Sequence, residues 1–241
     1  VNVSLDYLDA GFNRIAVLTY EARRPRDVTL VVGHGYSSSK QNLDPLCSFL
    51  ASHGFDIASL DFPGHKLGAS GGRLRSARDL VDAMSTVVAR VREAGARTIY
   101  TMGHSMGATT ALCTAGEDAG IAGAISIATG YGRPTVLDAL AARGVVDLRA
   151  SYVDGLPLPE LAHEWAPLVD EALPRLAGRP VLFIAASRDG MVARSSVEEL
   201  FARAPEPKTL ATVESDHTYA GDASRSAVLA WLNEMHPRRA A

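Results

Sequence analysis

The chain has 241 residues, 47% hydrophobic and 21% charged, a balance that excludes intrinsic disorder and fits one sizeable globular domain. Its 24 Lys and Arg against 27 Asp and Glu leave a net charge of −3, so no basic excess exists to hold nucleic-acid phosphates or anionic lipid. No apolar run approaches the roughly 18–20 residues of a membrane helix, and Val1 to Gly11 carries acids where a secretory signal carries bases.

Val3 to Leu8 and Arg14 to Tyr20 read as an antiparallel hairpin around Gly11 and Asn13. Val28 to Val32 is a short continuous apolar run ended by Gly33, the pattern of a strand buried on both faces. Helix and strand then alternate: Leu43 to His53 helix, Ile57 to Leu60 strand, Ala77 to Ala94 helix, Thr98 to Met102 strand, Ser105 to Glu117 helix, Ile121 to Ala128 strand. After an interruption come Val181 to Ala185, Val197 to Ala202, Thr209 to Val213 and Ala223 to Met235. Such alternation predicts a mostly parallel sheet with helices on both faces.

The interruption runs from Gly130 to Gly178, with no strand-like stretch and with Pro157, Pro159, Pro167 and Pro174 in its second half. Prolines at that spacing predict short helices only, with Pro159 and Pro167 each in a first turn. Leu161, Trp165, Leu168 and Leu173 give it apolar contacts, so it reads as a cap inserted over the C-terminal edge of the sheet within one domain spanning 1–241. Cys47 and Cys113 sit beside apolar residues far apart. They fit buried thiols better than a disulfide or a metal site, and the cytoplasm is the expected compartment.

The chemistry concentrates in Gly103-His104-Ser105-Met106-Gly107, which follows a strand and opens an Ala-rich helix. A G-x-S-x-G turn in that context presents a nucleophile on a strained strand-to-helix bend where only small neighbours fit. The helix aims its N-terminal N–H groups at the place where negative charge develops during acyl transfer. Ser105 is the candidate nucleophile, and it needs a base within hydrogen-bond reach and an acid to orient that base.

In this kind of site the acid and the histidine follow the serine at later strand ends. Ser-Arg-Asp-Gly after Val181 to Ala185 offers Asp189, and Ser-Asp-His-Thr-Tyr after Thr209 to Val213 offers His217. Asp216 is the rival acid, disfavoured because adjacent side chains diverge. His53, His163 and His236 lie away from strand ends, His65 precedes the nucleophile, and His104 is held by the turn to face away from Ser105. Gly33-His34-Gly35-Tyr36 stands where an oxyanion-hole N–H is supplied, which makes the backbone N–H groups of Tyr36 and Met106 the two candidate donors.

His34-Gly35, Asp61-Phe62-Pro63-Gly64-His65, the serine pentapeptide, Asp189 and His217 together resemble the α/β-hydrolase superfamily. Within it the chain is similar to the carboxylesterase, monoacylglycerol lipase-like and serine aminopeptidase-like group. It departs from that pattern at Lys66, where a glycine is usual, and at Tyr36, where some lipases and esterases continue a glycine run.

The resemblance implies acyl transfer through an acyl-enzyme with no metal or cofactor. A carboxylic ester is the first choice of substrate, a thioester on a carrier the nearest alternative, and peptidase, hydroxynitrile lyase or haloperoxidase chemistry stands behind them. A non-catalytic ligand-binding member of the fold is the alternative of another class. Gly35, Tyr131, Leu156, Leu158 and Trp165 are the expected pocket residues for an apolar or aromatic acyl group.

Overall fold

The run Val28–Gly33 is buried at every position, and its side chains alternate between two apolar layers: Val28, Leu30 and Val32 enter one, Val31 the other. Val181–Ala186 repeats the pattern, with Val181, Phe183 and Ala185 on one side and Leu182, Ile184 and Ala186 on the other. Period-two alternation that is apolar on both faces demands cover on both faces. In the computed structural model, which describes residues 1–11, 13–130 and 150–237, that cover is helical.

In chain order the elements are β1 (Asn2–Ala10), β2 (Asn13–Glu21), β3 (Val28–Gly33), α1 (Asp44–Ser52), β4 (Asp56–Leu60), α2 (Ala77–Glu93), β5 (Thr98–His104), α3 (Met106–Glu117) and β6 (Gly123–Ile127). They continue with α4 (Leu158–Ala172), β7 (Val181–Ala186), α5 (Arg194–Arg203), β8 (Lys208–Val213), α6 (Ala220–Ala223) and α7 (Arg225–Met235). The strands form one sheet in the order β1-β2-β4-β3-β5-β6-β7-β8. β1 and β2 pair antiparallel, with Ala10 opposite Asn13, and β2 runs antiparallel to β4; every later pairing is parallel. Gly11 takes φ 70°, the left-handed value a tight hairpin turn asks of its first central residue.

One helical layer contains α2, α3, α4 and α5, with Leu80, Ala111, Trp165 and Leu200 in its core. The other contains α1 and α7, with Leu46, Cys47, Val228 and Trp231 in its core. This is the α/β-hydrolase arrangement expected from the sequence. Cys47 and Cys113 are free and buried. No described helix is long and apolar enough to cross a membrane.

The proline segment departs from expectation. Pro159 does lie in the first turn of a helix, but Pro167 does not start a second one; it sits inside the 15-residue α4. A proline there removes one N–H and leaves the carbonyl four residues earlier, that of His163, without its intrahelical partner. Both His163 and Pro167 are exposed, so the break lies on the solvent side of the helix. The buried stripe Leu161, Trp165, Val169 and Ala172 continues past the proline at helical spacing and holds the two halves in line.

Candidate active site

The parallel strands deliver their C-terminal ends to one edge, and the sharpest turn there is at Ser105. Its backbone sits at φ 54°, ψ −120°, a region that costs a non-glycine residue of order 1–3 kcal/mol. The bend is held by Ser105 N–H donating to Ile127 C=O at 2.8 Å and by Ser105 C=O accepting from Ala108 and Thr109 N–H at 2.9 and 3.2 Å. A Cβ on Gly103 would stand 2.2 Å from the Gly107 backbone, and one on Gly107 would stand 2.2 Å from Gly33 O. The two glycines of the pentapeptide are therefore steric necessities of the crossing between β5, α3 and β3.

Folding brings the three distant side chains into one line. Ser105 Oγ lies 3.0 Å from His217 Nε2, and His217 Nδ1 lies 2.7 Å from Asp189 Oδ2. Asp189 follows β7 and His217 follows β8, so adjacent parallel strands set their spacing. Burial alone would raise the Asp189 carboxyl, but hydrogen bonds from His217 and from the Val192 and Met191 N–H groups outweigh it and hold the group below its usual range. Asp216 turns elsewhere and accepts Tyr219 N–H at 3.0 Å.

Tyr36 and Met106 N–H have no acceptor among the described residues. His34 Nε2 accepts Phe62 N–H at 3.0 Å, which leaves Nδ1 as the protonated nitrogen, donating to Gly35 C=O at 2.8 Å. Burial, with the nearby His65 second, pushes His34 down to about 3 and keeps it neutral. The Gly35 carbonyl and the Tyr36 N–H belong to one planar peptide, so holding the first aims the second.

Sequence reasoning missed four contributors. His104 does not merely turn away: its ring lies 4.8 Å from that of His217, and its Nε2 donates to the His217 backbone carbonyl at 2.8 Å. Lys40, 1% exposed, places Nζ 2.5 Å from Oδ2 of Asp61, 0% exposed. Asp61 also accepts Lys40 and Ala69 N–H at 2.8 and 2.7 Å, tying the loop after β3 to the loop after β4. Lys66, at the unusual position, donates from Nζ to Ser151 O and from its backbone to Tyr152 O, both at 2.9 Å, and so fastens the same loop to the segment before α4. The fourth contributor is the Thr109 and Thr129 pair, whose hydroxyls lie 2.8 Å apart. Asp61 carried a sequence signal through its place ahead of Pro-Gly-His, and Lys66 through standing where a glycine is usual.

Two cavities meet at Ser105 and His217, with Leu158 and Met191 on the border of both. One, of about 140 Å³, lies among α3, α4 and α5 and is lined by Met106, Thr109, Trp165, Val169 and Leu200. The other, of about 400 Å³, is more polar, with Gly35, Tyr36, Ser38, Asn42, Tyr152 and Thr218 around it. Leu156, an expected pocket residue, borders neither; it packs against the core and its carbonyl accepts the Tyr36 hydroxyl at 3.1 Å. Tyr131 lies outside the described residues.

A mostly parallel sheet with a strained serine turn after β5, and an aspartate and a histidine after β7 and β8, is the arrangement of an α/β hydrolase. The family model described as serine aminopeptidase, S33, matches residues 24–166, and the chain belongs to that family. No curated protein matches the chain in sequence. Among solved structures it is similar to a membrane phospholipase A described as a bacterial virulence factor, at 19% identity over 98% of this chain and 87% of that one, TM-score 0.73. It is also similar to Est1E from Butyrivibrio proteoclasticus with ferulic acid bound, at 16% identity over 95% and 98%, TM-score 0.73. The Pyrococcus furiosus esterase Pf2001 matches at 18% over 98% and 90%, TM-score 0.70. At these identities the likeness carries the fold alone.

Proposed function

We propose that this chain is a serine hydrolase that cleaves carboxylic esters through an acyl-enzyme. The observation that carries the reading is the unbroken path from Ser105 Oγ through His217 to Asp189, at 3.0 and 2.7 Å. His217 Nε2 takes the Ser105 proton as Oγ attacks the ester carbonyl, and Asp189 steadies the imidazolium. Tyr36 and Met106 N–H, with the N-terminus of α3, receive the oxyanion; each such donor is worth about 2.7–4 kcal/mol of barrier. His217 then hands its proton to the leaving alcohol, and water activated by the same nitrogen releases the acid.

The apolar cavity beside α4 suits the acyl group, with Leu158 and Trp165 as its walls, and the polar cleft with Gly35 suits the leaving group. An aminopeptidase must bind the substrate's ammonium, yet none of the described residues lining either cavity is acidic. An ester fits better. In this reading 1–241 is one domain, with the stretch from Gly130 to Gly178 as its cap, and two reduced, buried thiols support a cytoplasmic setting.

Labelling by a fluorophosphonate, together with hydrolysis of 4-nitrophenyl acetate, tests the reading. Both are expected in the wild-type protein and neither in Ser105→Ala. Paired oxygen and sulfur esters decide between esterase and thioesterase. An unlabelled, inert wild-type chain would return it to the ligand-binding members of the fold.

A further inference from the structure

Inside the smaller cavity, which Ser196 also borders, the mechanism leaves a pair of hydrogen-bonded hydroxyls unused. Thr109 and Thr129 both border it, at 8% and 6% exposure, and their hydroxyls bond to each other at 2.8 Å. A helical threonine ordinarily donates to the carbonyl one turn back. Its neighbour Thr110 does so, to Met106 C=O at 2.9 Å. Thr109 instead turns to Thr129, which follows Ala128 at the left-handed φ of 51°.

Two hydroxyls carry two donor protons, and one O···O contact uses one of them. Among the described residues the second has no acceptor, and neither oxygen has another donor. A buried hydroxyl without a partner is costly, so a pocket built this way is incomplete until something polar enters.

The position says what enters. Thr109 stands four residues beyond Ser105, the N-cap of α3, whose carbonyl accepts the Thr109 N–H at 3.2 Å; the two residues line the same cavity, with a rise of about 6 Å between their backbones. An oxygen on the third acyl carbon, with one hydrogen bond of about 2.8 Å added, spans that rise. The described residues lining the cavity include no Lys, Arg, Asp or Glu, so they give a charged substituent no partner for the hydration it would lose. A neutral hydroxyl both accepts the free proton and offers its own.

We propose that the Thr109 and Thr129 hydroxyl pair selects acyl groups bearing a hydroxyl on the third carbon, so that the substrates are 3-hydroxyacyl esters. This rests on the serine-hydrolase reading above.

The test compares kcat/KM for 4-nitrophenyl 3-hydroxybutyrate, each enantiomer separately, with that for 4-nitrophenyl butyrate. One enantiomer is expected to exceed butyrate about tenfold in the wild type, the worth of one neutral hydrogen bond. In Thr109→Val/Thr129→Val, where both partners become apolar together at little cost in stability, the ratio falls to about one. Thr129→Val alone gives the same result, because Thr109 then reverts to the Ser105 carbonyl as Thr110 does to Met106. A wild-type ratio at or below one, or a ratio that survives both substitutions, overturns the proposal while butyrate turnover leaves the hydrolase reading standing. No turnover of either ester, with no fluorophosphonate labelling, overturns both.

Discussion

His104 donates from Nε2 to the main-chain carbonyl of His217 at 2.8 Å, so the residue before the proposed nucleophile holds the backbone of the proposed base. Serine turn and histidine loop come from different strand ends, and this bond is a direct tie between them. Burial, followed by the neighbouring imidazole, pushes His104 down to about 3, so it is a neutral donor rather than a second base.

His104→Leu removes the tie. Turnover of 4-nitrophenyl acetate should fall by up to about 10²-fold, the scale of a displacement near 1 Å at a reacting group, with KM changed little. His104→Gln, which keeps an N–H donor, should recover most of it. Equal kinetics in the leucine and glutamine variants would show that the bond positions nothing.

The acid is assigned by a second pair of variants. Asp189→Asn should lower turnover about 10⁴-fold through the wrong imidazole tautomer, whereas Asp216→Asn, which touches only the Tyr219 N–H, should leave it within a few-fold. Steady-state kinetics on one activated ester rank them, and the opposite order would move the acid to Asp216.

Three histidines make the fold acid-sensitive. His34, His65 and His104 are pushed down from 6.5 to about 3, 4 and 3, in each case chiefly by burial. The unfolded chain protonates them near 6.5 and the native chain does not until far lower, so the unfolded state binds more protons throughout that window. Stability is complete above about pH 6.5 and falls as pH drops toward 4, by up to about 1.4 kcal/mol per pH unit for each histidine. Urea midpoints at pH 7.5, 6 and 5 should decline in that order; a flat series would mean the native rings take up protons over the same pH range as the unfolded chain.

Trp165 is 8% exposed in the core shared by α3 and α4, and it also walls the smaller cavity. Trp165→Ala should cost about 3–5 kcal/mol and shift acyl-chain preference toward longer esters, with acetate turnover affected least. Thermal unfolding read beside kinetics on short and long esters separates the two effects. A stability loss with unchanged preference would remove Trp165 from the substrate's path.

The parts of this molecule legible in its sequence were those with a local rule behind them. Strands such as Val28–Gly33 announce themselves by continuous burial, and Gly103 and Gly107 mark a turn no other residue fits. Pro167 misled because the rule it follows concerns an isolated helix; an exposed carbonyl beside it and a buried stripe across it override that rule. Lys40 sits in a polar run that reads as plain loop, and its burial depends on Asp61, 21 residues on. Thr109 hides in an Ala-rich helix, and only the fold sets Thr129 against it.

The two cavities that share Ser105 and His217 impose an order of departure on the proposed reaction. The acyl group stays tethered on one side while the alcohol vacates the other, so deacylating water arrives through the door by which the first product left. Small polar alcohols fit the same doorway and compete there with water for the acyl-enzyme. In the proposed reaction, transacylation onto such alcohols would then compete with hydrolysis, its share set by what fills the polar cleft rather than by what the acyl cavity holds.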